Sequence, residues 1–225
     1  MRSPAILFDL DGTLVDSVYQ HVLAWREALE GAGIELAVWR IHRKIGMSGG
    51  LFAQALVRET GGGLNPALIE QLQRMHIDAY RRFAGRVRPL PGARELLAHL
   101  TSLGVPWAIA TSGRADSAAV ALSALGLEET VPVVTRDLVP HGKPDPDLFV
   151  EAARRLGVDI ADAVVVGDSV WDLLAARRAR AIGVGLLSGG YGEEELERAG
   201  AYRVYEDPRD FLRHLDEIGV RALEA

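Results

Sequence analysis

The sequence predicts an α/β fold, in which a doubly wound parallel sheet carries an inserted α-helical cap. Three observations lead to this prediction. From residue 87 onward, short apolar runs alternate with longer helical patterns, as in successive βαβ units. The run Val164, Val165 and Val166 has no polar alternation, which is typical of a parallel strand covered on both faces. Residues 17–86 break the rhythm with several helical patterns and no convincing strand.

The predicted elements can be placed in order along the chain. The first strand covers residues 6–8, and later strands are predicted at 105–110, 131–135, 163–167 and 182–187, with a weaker edge strand at 202–205. Helices are predicted between these strands at 93–102, 116–125, 147–156 and 171–180. Within the insertion, helices are predicted at 38–44, 48–59 and 66–83, after an apolar stripe formed by Val18, Val22, Trp25 and Leu29. We therefore expect the core at residues 1–16 and 87–225 and the cap at residues 17–86.

Composition limits the classes of function. The net charge of −6 provides no basic field for nucleic acid, so we expect no nucleic-acid partner, whereas a small phosphate ester needs only a local cluster. The absence of cysteine excludes disulfides, thiolate-bound zinc and a thiol nucleophile. No apolar run approaches ~20 residues, and no signal-peptide pattern precedes the first strand. We expect a cytoplasmic protein without a membrane partner, and the sequence does not indicate its oligomeric state.

Two carboxylates follow the first predicted strand. Asp9 and Asp11 are two residues apart, so in an extended chain they point to the same side. Paired acids at the carboxyl end of a buried strand suit metal binding, or a nucleophile working beside an acid/base. The alternative is structural, because Asp11-Gly12 is also a type I′ hairpin signal between two apolar runs.

Two further loops carry polar groups that could reach the same site. Thr111, Ser112 and Gly113 follow a predicted strand and lead into a helix, which suits anion binding, although an ordinary N-cap explains them as well. Lys143 precedes Pro144, which restricts it to extended geometry, and the alternative is a solvated loop lysine.

A second pair of acids follows the strand at 163–167. Ser169 and Asp172 have the spacing of a capping box, which explains Asp172 without a function. Capping does not explain Asp168, because a carboxylate at the mouth of an apolar strand costs desolvation unless a cation or donors meet it. Together, the polar groups predicted at the strand ends supply what phosphoryl transfer through an enzyme carboxylate requires: a nucleophile, an acid/base, metal ligands and phosphate-binding groups.

At this point the sequence resembles the haloacid dehalogenase superfamily. Its four motifs match Asp9-Leu10-Asp11-Gly12-Thr13, Thr111, Lys143-Pro144 and Gly167-Asp168-Ser169-Val170-Trp171-Asp172, with a helical cap between the first two motifs. The resemblance covers essentially the whole chain and implies a Rossmann-like core. Within the superfamily, the phosphoglycolate phosphatase-like enzymes and the beta-phosphoglucomutases are most similar.

The resemblance also implies a role for each matching residue. Asp9 would be the nucleophile that forms an aspartyl-phosphate, and Asp11 would protonate the leaving oxygen and then activate water. Mg²⁺ would be held by the Asp9 carboxylate, the Asp11 main-chain carbonyl and Asp168. Thr111 and Lys143 would bind the phosphoryl group together with Ser112 and Gly113, and Asp172 would orient Lys143 or a metal-bound water.

Cap residues bear on the choice between phosphatase and mutase. Within the superfamily that this chain resembles, an aspartate at position 11 implies a phosphatase or a phosphomutase rather than a dehalogenase or a phosphonate hydrolase. His21 matches a cap histidine of the beta-phosphoglucomutases, and its alternative is a structural position beside the apolar stripe. Ile45 and Gly49 stand where the mutases carry basic residues, which weakens the mutase interpretation. Lys44 and Ser48, together with Arg43, are candidates for substrate contact, although a solvated helix end explains Arg43 as well.

The sequence therefore predicts a Mg²⁺-dependent phosphatase acting on a small phosphorylated metabolite, such as phosphoglycolate or a sugar phosphate. A sugar phosphomutase is the first alternative. A signalling receiver domain uses similar residues around Mg²⁺, but such domains are about half this length and lack a helical insertion. A non-catalytic binding protein of the same fold is a remote alternative, because every catalytic side chain is present.

Overall fold

The computed structural model describes residues 3–59, 61, 65–127 and 130–220. The strands along the chain are β1 (Ala5–Phe8), β2 (Val15–Asp16), β3 (Arg88–Pro89), β4 (Trp107–Ala110), β5 (Val133–Val134), β6 (Ala163–Gly167), β7 (Ile182–Leu186) and β8 (Ala201–Tyr205). The helices are α1 (Val18–Gly31), α2 (Val38–His42), α3 (Gly49–Glu59), α4 (Pro66–Phe83), α5 (Ala93–Ser102), α6 (Ala115–Leu125), α7 (Asp147–Leu156), α8 (Val170–Ala179), α9 (Glu193–Ala199) and α10 (Pro208–Arg213).

The main sheet confirms the predicted α/β fold. Within the described residues it has six parallel strands in the order β5-β4-β1-β6-β7-β8. Strand β1 lies between β4 and β6, so every one of its residues is buried, and the Val164, Val165 and Val166 run of β6 is buried in the same way. Parallel strands end at one edge of the sheet, which brings the loops after β1, β4 and β6 together.

Helices cover both faces of the sheet. Ile6 and Phe8 of β1 face a core that includes α5 and α6, whereas Ala5 and Leu7 face a second core with α7 and α8. This alternation follows from the two-residue period of a strand, and with both faces packed no polar residue is needed on either side.

Prolines shorten two of the predicted strands. The prediction at 105–110 gives β4, which begins only at Trp107, and the prediction at 131–135 gives only the two residues of β5. Pro106 and Pro132 have no N–H, so neither can donate to a neighbouring strand. Their carbonyls still accept hydrogen bonds, from Ile6 N at 2.9 Å and from Ile109 N at 3.0 Å.

The inserted segment is helical, as the pattern of residues 17–86 predicts. Val22, Trp25 and Leu29 lie on the buried face of α1 and pack with residues of α3 and α4 in a hydrophobic cluster of its own. Asn65 caps α4 by accepting a hydrogen bond from Ala67 N at 3.0 Å. No helix in the described part of the chain is long and apolar enough to span a bilayer.

The hairpin alternative for Asp11-Gly12 is wrong. The apolar run after Gly12 does not pair with β1, because both edges of β1 are taken by β4 and β6. Instead, β2 pairs with β3 in an antiparallel ribbon that the sequence did not predict, and this ribbon joins the two ends of the helical insertion. Gly12 has a φ of +83°, and a methyl group added there would lie 2.4 Å from Asp168 Oδ2. Glycine is therefore needed at this position both for its backbone angle and for close approach to β6.

Candidate active site

Asp9 and Lys143 form a buried ion pair at the carboxyl end of β1. The Asp9 N–H still donates to Val166 O at 2.9 Å, so the sheet fixes its backbone, while its carboxylate contacts Lys143 Nζ. Lys143 is fully buried and also lies 2.8 Å from Asp172 Oδ1. The solvated-lysine alternative for Lys143 is therefore wrong. Burial alone would lower the pKa of Lys143, but the neighbouring carboxylates of Asp172 and Asp9 raise it above its usual value. The lysine therefore stays charged between the two acids.

Asp168 and Asp172 come from the end of β6 and the first turn of α8. The Ser169 N–H donates to Asp172 Oδ2 at 3.1 Å and its hydroxyl at 2.5 Å, so the predicted helix cap forms. The other carboxylate oxygen of Asp172 contacts Lys143. Asp172 therefore both caps α8 and orients Lys143. Asp168 accepts a hydrogen bond from Thr13 Oγ1 at 2.9 Å, which ties it to the loop that carries Asp11.

Carboxylate oxygens of Asp9, Asp168 and Asp172 all lie within 4.8 Å of one another. Burial raises the pKa of Asp9 to about 7, although Lys143 opposes the shift. Burial, together with Asp172 and Asp9, raises the pKa of Asp168 well above its usual value. The single positive charge of Lys143 therefore does not balance the negative charge of these three acids. A buried cluster of oxygen ligands with excess negative charge fits a hard divalent cation such as Mg²⁺.

Asp11 has different surroundings. Its Oδ1 accepts a hydrogen bond from Ser17 Oγ at 2.5 Å and lies 3.3 Å from His21 Nε2. Burial alone would raise the pKa of Asp11, but His21 and Ser17 together hold it below its usual value. The two acids of the first motif therefore differ: Asp9 belongs to the carboxylate cluster, and Asp11 belongs to a hydrogen-bonded group on the cap side.

A second histidine, His76 of α4, completes that group. His21 Nδ1 and His76 Nε2 are 3.1 Å apart, and the His21 ring stacks on Tyr80 at 3.8 Å between centroids. Burial and the neighbouring His21 hold the pKa of His76 well below its usual value, so His76 is neutral at pH 7. Sequence reasoning missed His76. The spacing of Leu72, His76 and Ala79 could have placed it on the buried face of α4, but no local signal pairs it with a residue 55 positions away.

Thr111, Ser112 and Gly113 lie at the end of β4. The Thr111 hydroxyl accepts a hydrogen bond from Gly113 N at 2.9 Å, which leaves its own proton for another acceptor. The N-cap alternative is wrong, because α6 begins at Ala115 and its N-cap position is Arg114. The buried Ser112 hydroxyl has no hydrogen-bond partner among the described residues, and it borders the central cavity. Such an orphaned group is satisfied when a ligand oxygen occupies the cavity.

The structure brings only some of the cap candidates to this site. Ser48 is buried at the cavity wall, and its N–H donates to Lys143 O at 3.4 Å. Lys44 instead pairs with Glu59, and Arg43 pairs with Glu195 of α9, so neither borders the cavity. The alternative for Arg43 was a solvated helix end. Arg43 does lie at the end of a helix, but its side chain is paired with Glu195 rather than free in solvent.

A cavity of about 550 Å³ lies between the end of the sheet and the helical insertion. Its inner end contains Asp9, Asp11, Thr111 and Ser112, and the insertion supplies most of the opposite wall. A volume of this size is typical of small-molecule sites. The arrangement therefore places two carboxylates and hydroxyl donors at the closed end of one pocket.

Known proteins are similar in sequence to this chain over most of its length. A model of the haloacid dehalogenase-like hydrolase family matches residues 4–180. The chain belongs to this family. It is similar to hexitol phosphatase A of Escherichia coli (strain K12), with 34% identity over 80% of this chain and 81% of the relative. It is also similar to a phosphoglycolate phosphatase of Neisseria meningitidis, with 35% identity over 85% of this chain and 83% of the relative.

Among solved structures, a hydrolase from Pseudomonas syringae superimposes with a TM-score of 0.95. It is 56% identical in sequence, and the match covers 97% of this chain and 100% of that one. This chain therefore shares both its Rossmann-like core and its helical insertion with a protein of known structure.

Proposed function

We propose that this haloacid dehalogenase-like hydrolase is a phosphatase that hydrolyses a small phosphorylated metabolite through an aspartyl-phosphate on Asp9. The observation that carries the proposal is the contrast between its two neighbouring acids. Asp9 lies beside Lys143 in the carboxylate cluster, whereas Asp11 is held by Ser17 and His21. Two carboxylates with opposed surroundings are suited to separate roles, one as nucleophile and the other as acid and base.

The first half of the reaction transfers the phosphoryl group to Asp9. A carboxylate oxygen of Asp9, beside the Lys143 cation, attacks phosphorus as the bond to the leaving oxygen breaks. Asp11, whose pKa is low in the free protein, takes up a proton when the anionic phosphate enters beside it and gives that proton to the leaving oxygen. The Thr111 and Ser112 hydroxyls and Lys143 bind the phosphoryl oxygens. Ser17 and His21 keep Asp11 oriented towards the leaving group.

The second half returns Asp9 to its starting state. Asp11, now a carboxylate, takes a proton from water as the water oxygen attacks phosphorus, and the bond from phosphorus to Asp9 breaks. Inorganic phosphate is released, and Asp11 is protonated again. One side chain thus acts as acid and then as base, which explains why it needs hydrogen-bond partners separate from those of Asp9.

Asp9 and Asp168 are the residues that would hold Mg²⁺ directly, with the main-chain carbonyl of Asp11 as a further ligand. Bound there, Mg²⁺ would neutralise phosphate charge beside these acids. Asp172 contributes by fixing Lys143, which it contacts at 2.8 Å. The oxygen-only donor set and the raised pKa values of Asp9 and Asp168 support this assignment.

A panel of small phosphate esters tests the proposed function. With Mg²⁺ present, we expect release of inorganic phosphate from at least one ester, and excess EDTA should lower the rate at least about 100-fold. Added Mg²⁺ should restore it, whereas Ca²⁺ should not, because its looser coordination misplaces the nucleophile. Activity that persists in EDTA would remove the metal from the mechanism, and a panel without any release would contradict the function.

The same assay separates hydrolysis from the mutase alternative. A mutase must hold a bisphosphate intermediate by its second phosphate, but Ile45 and Gly49 border the cavity where the resemblance would place basic residues. Given a sugar monophosphate and a trace of sugar bisphosphate, we therefore expect inorganic phosphate rather than an isomeric sugar phosphate. Faster appearance of the isomer would identify a mutase.

His76 is expected to act as a positioning residue for His21 and, through it, for Asp11. The variant His76→Phe keeps an aromatic ring against Trp25 but loses the contact with His21 Nδ1. We expect kcat/KM for an alkyl phosphate, which reports the transfer of the phosphoryl group to Asp9, to fall about 10-fold to 100-fold, because an alkoxide needs a proton as it leaves. We expect kcat/KM for para-nitrophenyl phosphate to change less than about twofold, since nitrophenolate leaves unassisted.

Two further variants control this prediction. His76→Gln retains a hydrogen-bonding group and should recover part of the rate on the alkyl ester. Met75→Leu changes the neighbouring residue of α4 outside the cavity, and both substrates should keep their rates. An equal loss of kcat/KM on both esters in His76→Phe would indicate that His76 serves packing alone.

A further inference from the structure

The turn between β7 and α9, residues 187–192, packs directly against Asp168. Gly189 of this turn is buried, and a methyl group placed on it would overlap the Asp168 carboxylate, so its backbone is already in contact with that side chain. A methyl group on Gly12 would overlap the same oxygen, Oδ2. Only glycine permits a backbone to approach a side chain this closely. Two glycine backbones therefore confine one oxygen of Asp168.

Hydrogen bonds within the core join the two segments that confine Asp168. Ser188 Oγ donates to Gly12 O at 2.6 Å, which links the β7–α9 turn to the loop after β1. Thr13 Oγ1 donates to the other oxygen of Asp168, Oδ1, at 2.9 Å. A carboxylate whose neighbours fix its orientation binds a metal more tightly than one that must first be ordered. The position of the β7–α9 turn is therefore expected to affect Asp168 as a metal ligand.

The helical insertion reaches the β7–α9 turn through His42, the last residue of α2. His42 Nε2 lies 2.9 Å from Gly189 O, and this nitrogen carries the proton because a carbonyl oxygen only accepts. The His42 ring stacks on Tyr19 of α1 at 5.3 Å between centroids, and the Tyr191 ring of the turn lies 5.8 Å away. His42 is thus held between two aromatic rings, with its N–H directed at the residue that touches Asp168.

Other contacts attach α2 to the same turn at positions outside Gly189. The Tyr191 hydroxyl donates to Arg43 O at 2.8 Å, and the Arg43 guanidinium lies 4.2 Å from the centre of the Tyr191 ring. Arg43 also pairs with Glu195 of α9. These contacts keep His42 within reach of Gly189. The contact between His42 and Gly189 is the one that continues to Asp168.

We propose that His42 is a positioning residue for Asp168. By holding the Gly189 carbonyl, it keeps the Gly189 backbone against the carboxylate, and the packing of α2 on the β7–α9 turn thereby raises the affinity of the site for a divalent cation. The inference rests on the proposed function, in which Asp168 holds Mg²⁺. Linkage then requires that a bound cation strengthens the contact between the insertion and the turn by the same factor. The insertion contributes to the metal site without supplying a ligand.

The variant His42→Phe tests this inference, because it keeps a ring between Tyr19 and Tyr191 but has no N–H for Gly189 O. The measurement is the Tm of the full, metal-free chain as Mg²⁺ is added without substrate, and the dependence of Tm on concentration gives the Kd. We expect the Kd for Mg²⁺ to rise at least about threefold in His42→Phe. With para-nitrophenyl phosphate, the Mg²⁺ concentration for half-maximal activity should rise by the same factor, whereas kcat at saturating Mg²⁺ should change less than about twofold.

Two further variants and a control separate positioning from packing. His42→Gln returns an N–H donor and should recover part of the affinity for Mg²⁺. Ser188→Ala removes the hydrogen bond to Gly12 O from the core side and should also raise the Kd, independently of the insertion. His99→Phe makes the same exchange at an exposed histidine of α5 and should leave the Kd unchanged.

The Tm series also distinguishes failure of the inference from failure of the proposed function. If Mg²⁺ raises the Tm of the unaltered chain and His42→Phe has the same Kd, the inference is overturned. It is also overturned if His42→Phe and His42→Gln lose affinity equally, because the hydrogen bond then has no effect of its own. If Mg²⁺ leaves the Tm of the unaltered chain unchanged, the metal assignment of the proposed function fails, and the inference fails with it.

Discussion

Replacing Asp9 with asparagine is expected to abolish phosphate release from every ester, by about 10⁴-fold or more in kcat. The physical reason is that an amide oxygen is a poor nucleophile, and no other carboxylate can take over the role. Asp168 is tied to Thr13 at 2.9 Å, and Asp172 is held by Ser169 and Lys143, so neither is free to attack. The measurement is inorganic phosphate release with Mg²⁺, including para-nitrophenyl phosphate as the most reactive ester.

The stability of the same variant distinguishes lost chemistry from lost folding. Burial raises the pKa of Asp9 from 3.8 to about 7. An acid whose pKa rises on folding costs stability once it must ionise, and this cost grows as the pH rises from about 4 to about 7. Asparagine cannot ionise. In EDTA, Asp9→Asn should therefore have a Tm equal to or above that of the unaltered chain, with the difference larger at pH 7.5 than at pH 5.

Asp16→Asn is the matched control for Asp9→Asn. Asp16 is an exposed acid of β2 in the same loop region, and its replacement should change neither the rate nor the Tm. Phosphate release from Asp9→Asn at a rate near that of the control would show that the nucleophile lies elsewhere.

Much of this site could be predicted because it lies at strand ends. A buried run without polar alternation identifies β6, and the sheet then brings the residues after β1, β4 and β6 to one edge whatever the loops do. Asp9, Thr111 and Asp168 follow from that rule. Strand lengths were less predictable, since Pro106 and Pro132 remove backbone donors inside patterns that are otherwise typical of strands.

Contacts between distant segments were not predictable. The β2–β3 ribbon joins residues more than seventy positions apart, and two-residue strands have no periodicity to detect. The short helices α9 and α10 were also missed. His76 and Glu59 show the same limit at the level of single side chains. Nothing local to His76 indicates His21, and nothing local to Lys44 indicates that Glu59 removes it from the cavity.

Asp11 belongs to the core, but the residues that surround its carboxylate belong to the insertion. Ser17 lies at the start of the insertion, His21 belongs to α1 and His76 belongs to α4, whereas Asp11 itself follows the first strand of the sheet. Arg43 and Glu195 connect the insertion to α9 at the same time. The surroundings of Asp11, the proposed acid/base, therefore depend on how the insertion packs against the sheet, while the ion pair of Asp9, the proposed nucleophile, lies within the core.

Replacing Asp11 with asparagine is accordingly expected to separate the two halves of the reaction. On an alkyl phosphate, kcat should fall about 10²-fold to 10⁴-fold, because the departing alkoxide receives no proton. On para-nitrophenyl phosphate, Asp9 should still be phosphorylated, since nitrophenolate leaves without assistance. Hydrolysis of the aspartyl-phosphate should then become slow, because no carboxylate remains to take the proton from water.

Rapid mixing of Asp11→Asn with para-nitrophenyl phosphate and Mg²⁺ should therefore give a burst of nitrophenolate close to one equivalent per active site, followed by a slow steady state. Acid quenching during the slow phase should yield a phosphorylated protein, and the Asp9→Asn, Asp11→Asn double variant should yield none. A linear time course without phosphorylated protein, at a rate equal to that of Asp16→Asn, would mean that Asp11 serves neither half of the reaction. The burst has a structural reason: among the described residues the carboxylate of Asp11 contacts Ser17 and His21 and is not part of the carboxylate cluster, so its replacement leaves Asp9, Lys143 and that cluster in place.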